Sequence, residues 1–499
     1  MTASPGGTVA PRRDACPRAG SMVTVATSDH DSQRCSLLPS GSSLGSEQLR
    51  WPSCQQAWEY ACTRDHVAPL NMTASWLLQG AVTDDAARFA ISEIGQRHAI
   101  LRSHLLPAQG RVWQVVDADA VPALAVLDVR AWGPRHGYHA AMSWTRGALQ
   151  KPRSLCDGEL FTSSLWRLGP ATWMLVVVVA HAVWDVASAR LFIREFGAIA
   201  SESRDGRENP SASAQQQFAD VVSAERRRSE FAAPVDSWRR RLEDHQASRP
   251  RVCPAARCAR PEFRFAATPL PTLSRPATDR LARLARECGA STAAGPLAAV
   301  LLLLADVTGC RQHAVGLCYA NRDRAEHRTL IGCLAEHVPL VLEAAPTAPV
   351  RDVVRDAGSA IRDFRAAGVT MSGLFPETRE QGPWRGDATC DVVLNYIAGG
   401  DRRMDYVCGE TIAAHFLGHR TVQPVPARFL WDFAVAALTL EATRTGGLGG
   451  VVGYNAATMD RRKAEGLGLS LARILQMVSL FPDRDTAWLL ARLRRWHDQ

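Results

Sequence analysis

The sequence predicts an α/β protein built as two lobes of similar element content, a pseudo-dimer without recognisable sequence repetition. Three observations carry this expectation. The run Trp173 to Ala180, WMLVVVVA, is uncharged and β-branched, the pattern of a strand buried on both faces. It leads into apolar residues at helical spacing, Leu191, Phe192, Phe196 and Ile199, separated by Arg190, Arg194 and Glu195. The same strand and helix logic then recurs beyond a Pro-containing, aperiodic stretch at 246–262.

Residues 1–45 are rich in Gly, Ser, Pro and Thr without periodicity, and are expected to be disordered. Their GSSLG string at 41–45 matches a nucleophile elbow but lacks the flanking strand and helix such an elbow needs. The first lobe is expected at 46–245. Within it, 46–62 passes from a polar start into a helical pattern, and Asn71–Gly80 reads as a strand. Asp84 and Asp85 open an amphipathic helix running to Leu105. Val112–Val116, Ala123–Val126 and Leu160–Leu168 are further strands, and Gly169-Pro170 turns the last into the Trp173 run. After a polar linker at 205–213, helical patterns continue through FADVVSAERRRSEF and SWRRRLED.

The second lobe is expected at 246–499. It begins with a strand near Phe263, a helix at Ala277–Cys288 and an apolar helix at Thr292–Leu304. Strands are expected at Ala314–Tyr319, Val338–Glu343, Asp391–Ile397, Phe433–Glu441 and Gly450–Tyr454, with a helix at Ala348–Phe364. The Gly-rich turn Thr445–Gly449 precedes a strand instead of a helix, so it reads as a hairpin turn and not a phosphate cradle. The last 40 residues read as amphipathic helix.

Composition narrows the function classes. The net charge of +8 is nearly all arginine, since Lys151 and Lys463 are the only lysines. The tight groups Arg226–Arg228 and Arg239–Arg241 are interleaved with acids on helical stretches, which argues for solvated faces and against a nucleic-acid partner. The longest uncharged run falls short of the ~20 residues that span a bilayer, and no secretory pattern opens the chain, so a cytoplasmic, membrane-free protein is expected. Thirteen cysteines without C-x-x-C pairing suit reduced thiols and no metal site.

His181 and Asp185 lie where the buried strand hands over to the helix. Polar groups there cost desolvation unless they are partnered, so a fold that keeps them has a use for them. A core histidine satisfied by one carbonyl is the competing reading.

From about residue 50 to 475 the chain resembles the condensation domains of nonribosomal peptide synthetases, in the chloramphenicol-acetyltransferase-like superfamily. The family's His-His-x-x-x-Asp-Gly motif aligns with Ala180 to Val186. Its Arg-His-Glu-x-Leu-Arg-Thr segment resembles Arg97 to Ser103, and its Tyr-x-Asp-Tyr segment resembles Phe218 to Val221, followed by Trp238. Ala320-Asn321-Arg322, Ile331-Gly332 and Tyr454-Asn455 complete the series in the right order. The resemblance implies two chloramphenicol-acetyltransferase-like lobes in a V with a tunnel between them. It implies His181 as general base, or as the group positioning the nucleophile, for an amine or hydroxyl attacking a thioester on a phosphopantetheine arm. Asp185 would brace the loop through an arginine, with Arg97 the first candidate and Arg102 the second, and Trp184 would support the site. Val186, Asn321, Arg322, Glu336, His337 and Asn395 would lie on the acceptor side or the tunnel.

The same resemblance implies no bound cofactor and no metal. It implies acyl or peptidyl carrier proteins as partners in trans, a monomer, and a free-standing enzyme without adenylation or carrier segments. Departures from the motifs are Ala180 for the first histidine, Val186 for the glycine, and Glu336-His337 where Asn-Thr normally follows Ile-Gly. His337 reads more readily as a surface histidine at a strand start than as a second ionisable group. Two alternatives stand beside amide or ester formation in natural-product assembly: a non-catalytic domain that recruits partner enzymes, and an alcohol acyltransferase of the wax-ester or polyketide-associated type.

Overall fold

The computed structural model describes residues 49–50, 52–53, 56–57, 71–108, 111–151, 153–158, 160–204, 217–230, 234–248, 265–370, 374, 390–397, 406–408, 412–419, 436–443 and 445–497. The expectations for 1–45, 205–213 and 249–262, and most of that for 46–62, lie outside the described residues.

The first half of the chain forms β1 (Leu49–Arg50), β2 (Asn71–Gly80), α1 (Asp84–Arg97), β3 (Ser103–Ala108), β4 (Arg111–Val116) and β5 (Leu124–Asp128). It continues through α2 (Pro134–Gln150), β6 (Phe161–Arg167), β7 (Thr172–Ala180), α3 (Val186–Arg204), α4 (Phe218–Glu230) and α5 (Val235–Ser248). The second half forms β8 (Phe265–Leu273), α6 (Arg275–Glu287), α7 (Ala294–Thr308), β9 (Gln312–Tyr319), β10 (Glu336–Glu343) and α8 (Val350–Ala367). It ends with β11 (Val392–Ile397), β12 (Tyr406–Cys408), β13 (Ile412–His419), β14 (Ala436–Ala442), β15 (Leu448–Asn455), α9 (Arg461–Leu480) and α10 (Thr486–His497).

Two six-stranded sheets, ordered β12-β13-β2-β7-β6-β5 and β10-β9-β11-β14-β15-β8, organise the protein, with β1-β4-β3 as a smaller third. The α/β architecture is as expected. In β7 every residue from Trp173 to Ala180 is buried, which explains its unbroken apolar run. It pairs antiparallel with β2 on one side and β6 on the other. Asn71, opposite Ala180, pins this end of the sheet by donating to the carbonyls of Leu149 and Lys151. In the second lobe, α7 is buried continuously from Ala294 to Ala305, as its all-apolar sequence requires, and stops at Gly309 in the left-handed region (φ 74°).

Two expectations need correction. The helix expected to reach Leu105 ends at Arg97, and Ser103–Ala108 is instead strand, paired with β4. Pairing with a neighbour overrides the local period there, and Gln114 Nε2 donates to buried Ser103 Oγ. The β12–β13 hairpin has no counterpart in the expected element series, and β13 pairs antiparallel with β2. Residues 412–419 therefore complete the first sheet, so a division at residue 245 separates the chain without separating the two sheets.

The second sheet is two-sided in composition. Val315, Leu317, Val338, Leu340, Val392, Leu394, Leu438 and Leu440 face the helices in one core. Alternation then places Cys318, His337, Asn395 and Thr439 on the opposite face, where each keeps part of its surface. The same alternation puts Glu336 on the helix side with Tyr319, its cross-strand partner.

Candidate active site

At the end of β7 the chain makes one 3-10 turn, His181–Val183, closed by Trp184 N–H donating to His181 O at 3.1 Å. Asp185 then caps α3, one oxygen accepting Ser188 N–H at 2.8 Å and Ser188 Oγ–H at 2.9 Å. Arg322, just beyond β9, grips the same carboxylate. Its Nη2 is 2.9 Å from each Asp185 oxygen and its Nε is 3.2 Å from Oδ2. The remaining guanidinium hydrogens go to carbonyls of His327 and Leu330 at 2.7 Å and Gly332 at 3.0 Å. Leu334 N–H adds a further bond to Asp185 Oδ2 at 3.3 Å. Both charged groups are buried, and both are saturated, which is the condition for a buried ion pair to persist.

This corrects the expected brace. Arg97 lies 3.9 Å from Glu93 on its own helix, and Arg102 donates to the carbonyls of Gly95, Asp117 and Ala118. Neither reaches Asp185. Their segment ties α1 to its neighbours instead, with His98 Nε2 3.0 Å from Glu195 on α3 and Gln217 Nε2 donating to Arg97 O. Arg322, expected on the acceptor side, is the brace.

The loop after Arg322 is shaped around this pair. Asn321 takes a left-handed backbone (φ 49°), tolerable for Asn, and donates to Glu225 on α4 at 3.1 Å. It lines a cavity of about 450 Å³ with Glu225, Tyr319, Arg324, Arg362 and Arg365, which His181 does not line. Gly332 sits at φ 149°, and a Cβ there would lie 2.1 Å from the Phe218 ring, so the backbone can pass only as glycine. Gly332 N–H donates to Ser188 Oγ at 3.0 Å, and Cys333 follows directly.

Cys333 Sγ lies 3.4 Å from His181 Nδ1. Burial holds the His181 imidazole below its usual pKa, opposed by a hydrogen bond with its own backbone and by the charge of Asp185. The residue as a whole is only partly buried. His337, on the face of β10 turned away from the helices, is pushed down to about 3, chiefly by burial and then by the charge of His181. It is therefore an electrostatic neighbour of His181 and not the surface histidine expected. Burial and the Asp185 charge push the Cys318 thiol up to about 12.

The other expected site residues divide. Asn395 shares a sheet face with His337, whereas Glu336 turns to the opposite face. Trp184 is fully buried, packed on Phe192 at 5.5 Å and Phe161 at 6.4 Å, so it anchors the turn from within the core. Val186 is half-buried against that core. Ser188 and Cys333 were not singled out from sequence, because neither type in isolation signals a site. Cys156, Cys288, Cys310, Cys318, Cys333 and Cys390 are free thiols. Among the described residues no group of three His, Cys, Asp or Glu side chains could hold a metal ion, and no helix is long and apolar enough to cross a membrane.

A family model described as Condensation domain matches residues 49–487. Phosphinothricin tripeptide synthetase PhsC of Streptomyces viridochromogenes is 26% identical over 435 residues, covering 85% of this chain. The chain spans 38% of that synthetase's length. The first condensation domain of the calcium-dependent antibiotic synthetase, solved with a substrate analogue, superposes with a TM-score of 0.68 at 19% identity, covering 89% of this chain and 99% of that one. The X-domain from teicoplanin biosynthesis, solved in complex with OxyB, gives a TM-score of 0.68 at 20% identity over 89% and 96% of the two chains. At these identities the two structures establish the fold.

Proposed function

Because the chain belongs to the condensation-domain family, we propose that it is an acyltransferase that joins a carrier-bound acyl or aminoacyl thioester to an amine or hydroxyl acceptor. Carrier proteins are its partners in this reading, and they deliver the donor in trans on a phosphopantetheine arm. No bound cofactor or metal is needed for the step. The product is an amide or ester in nonribosomal peptide or hybrid natural-product assembly.

One observation carries the assignment of roles. Both oxygens of Asp185 are engaged by Arg322, which removes that carboxylate from proton transfer and leaves His181 as the accessible base at the end of β7. Burial favours its neutral form near pH 7, where a base must have a lone pair to offer. The nucleophile gives its proton to the imidazole as it attacks the thioester carbonyl. The C–N or C–O bond forms, the C–S bond breaks, and the proton passes to the departing pantetheine sulfur. Holding two reactants together supplies most of the acceleration in such a scheme.

A second reading, recruitment of a partner enzyme, draws on Ala180 and Val186 in the motif and on the similarity to an X-domain that was solved with OxyB. One assay separates the two. Acyl thioesters on a carrier protein are offered with panels of amines and alcohols, and products are followed by mass spectrometry for wild type and His181→Ala. Product that depends on His181 supports catalysis. Equal product from both proteins would overturn the base assignment, and none from either would favour recruitment.

A further inference from the structure

We propose that Cys333 is a positioning residue for His181, its sulfur helping to lock the imidazole in the tautomer that carries the proton on Nδ1 and presents Nε2 to the substrate. This rests on the reading of His181 as the base. It adds a residue that the motif resemblance does not mark, since Cys333 stands at an unspecified place between Gly332 and Leu334.

The argument is geometric. Cys333 cannot drift from the imidazole, because the residues on either side of it are tied to the Asp185 brace. Gly332 N–H donates to Ser188 Oγ at 3.0 Å, Gly332 O shares the Ser188 hydroxyl hydrogen with Asp185, and Leu334 N–H donates to Asp185. The thiol between them is 1% exposed and stands 3.4 Å from Nδ1. In this reading the ring is the donor and the sulfur the acceptor of the 3.4 Å contact, so Nε2 is the ring nitrogen that keeps a lone pair. Rotating the ring by half a turn would exchange its two edges and lose that contact.

The charged and titratable surroundings agree from each side. Asp185 stands on the same turn with its charge matched by Arg322. His337 on β10 is close enough for the charge of His181 to oppose a proton on it. Cys318 on β9 is held as a neutral thiol beside Asp185. Cys333 differs from these groups in standing at hydrogen-bond distance from Nδ1 itself.

The test uses the full chain with 15N-labelled histidine. Long-range proton–nitrogen correlation spectra report the tautomer of each neutral imidazole, and His181→Ala identifies the His181 signals by their loss. Wild type is expected to show the Nδ1–H tautomer. Cys333→Ala is expected to show a mixture of tautomers, with turnover lowered about 5- to 20-fold at unchanged donor KM. Cys333→Ser, which restores a small polar acceptor, is expected to recover most of both. A wild-type ring protonated on Nε2, or a tautomer unmoved by Cys333→Ala, would overturn the proposal. The spectra need no substrate, so this failure is distinct from failure of the catalytic reading, which the His181→Ala assay alone decides.

Discussion

Arg322 reaches from the end of β9 to the start of α3 and closes on Asp185 with Nη2 2.9 Å from both carboxylate oxygens. One ion pair thus joins the turn that carries His181 to the loop that carries Cys333. Because both partners are buried, removing either leaves a stranded charge. Asp185→Ala and Arg322→Ala should each cost about 3–5 kcal/mol of stability, read as lowered urea midpoints. Arg97→Ala, which removes a largely buried side chain whose ion pair with Glu93 is long at 3.9 Å, should cost less, about 1–2 kcal/mol. Equal losses from Arg97→Ala and Arg322→Ala would contradict the assignment of the brace.

Gly332 and Phe218 make a second test. A methyl group at 332 would collide with the Phe218 ring and also strain a backbone at φ 149°. Gly332→Ala should therefore destabilise by about 2–4 kcal/mol. Combining it with Phe218→Ala should cost less than the sum of the two single changes, because the collision is then absent. Simple additivity in thermal or urea unfolding would show that the ring and the glycine do not limit each other.

Acid sensitivity follows from His337. In the folded protein it releases its proton near pH 3, while an unfolded histidine holds one up to about pH 6.5. Between those values the unfolded chain binds more protons, so stability is fully present above pH 6.5 and drains away as the pH falls towards 3. His181, lowered for the same first reason, adds in the same direction. The full separation for His337 corresponds to roughly 5 kcal/mol at most. His337→Thr should flatten the loss of urea midpoint between about pH 7 and pH 4.5 relative to wild type. An unchanged slope would place His337 in ordinary solvent.

Trp184 should behave as core. Trp184→Ala is expected to cost about 3–5 kcal/mol by opening a cavity beside Phe161 and Phe192, measurable by thermal unfolding. Trp184→Phe should recover most of the stability and leave turnover within a few-fold of wild type. A large selective loss of turnover in the Phe variant, with stability intact, would return Trp184 to the site.

Much of the frame was legible because local pattern and burial agree in it. The apolar run of β7 and the continuous apolar face of α7 are what a two-sided strand and an enclosed helix demand, and His181 and Asp185 stood out against them. Pairings distant in sequence were not legible in the same way. Arg322 lies 137 residues from Asp185, and nothing in local spacing prefers it over Arg97. Cys333 meets His181 only because Gly332 lets the chain pass close under Phe218. The β12–β13 hairpin falls in a weakly patterned region and acquires its partner only when β2 is already in place. His337 misled for a simpler reason: alternation along β10 decides which of two adjacent polar residues faces His181, and a strand start can be read in either phase.

The loan of β13 to the first sheet has a bearing on how the molecule is made. Until residue 419 has left the ribosome, β2 carries a bare edge of unpaired amides and carbonyls beside the most apolar strand of the protein. A nascent chain that stops between residues 185 and 412 would hold every residue of the His181 turn and still present a sticky, unfinished ladder. Assembly of the first lobe must therefore wait on synthesis of the second, and fragments cut between them should aggregate sooner than fold.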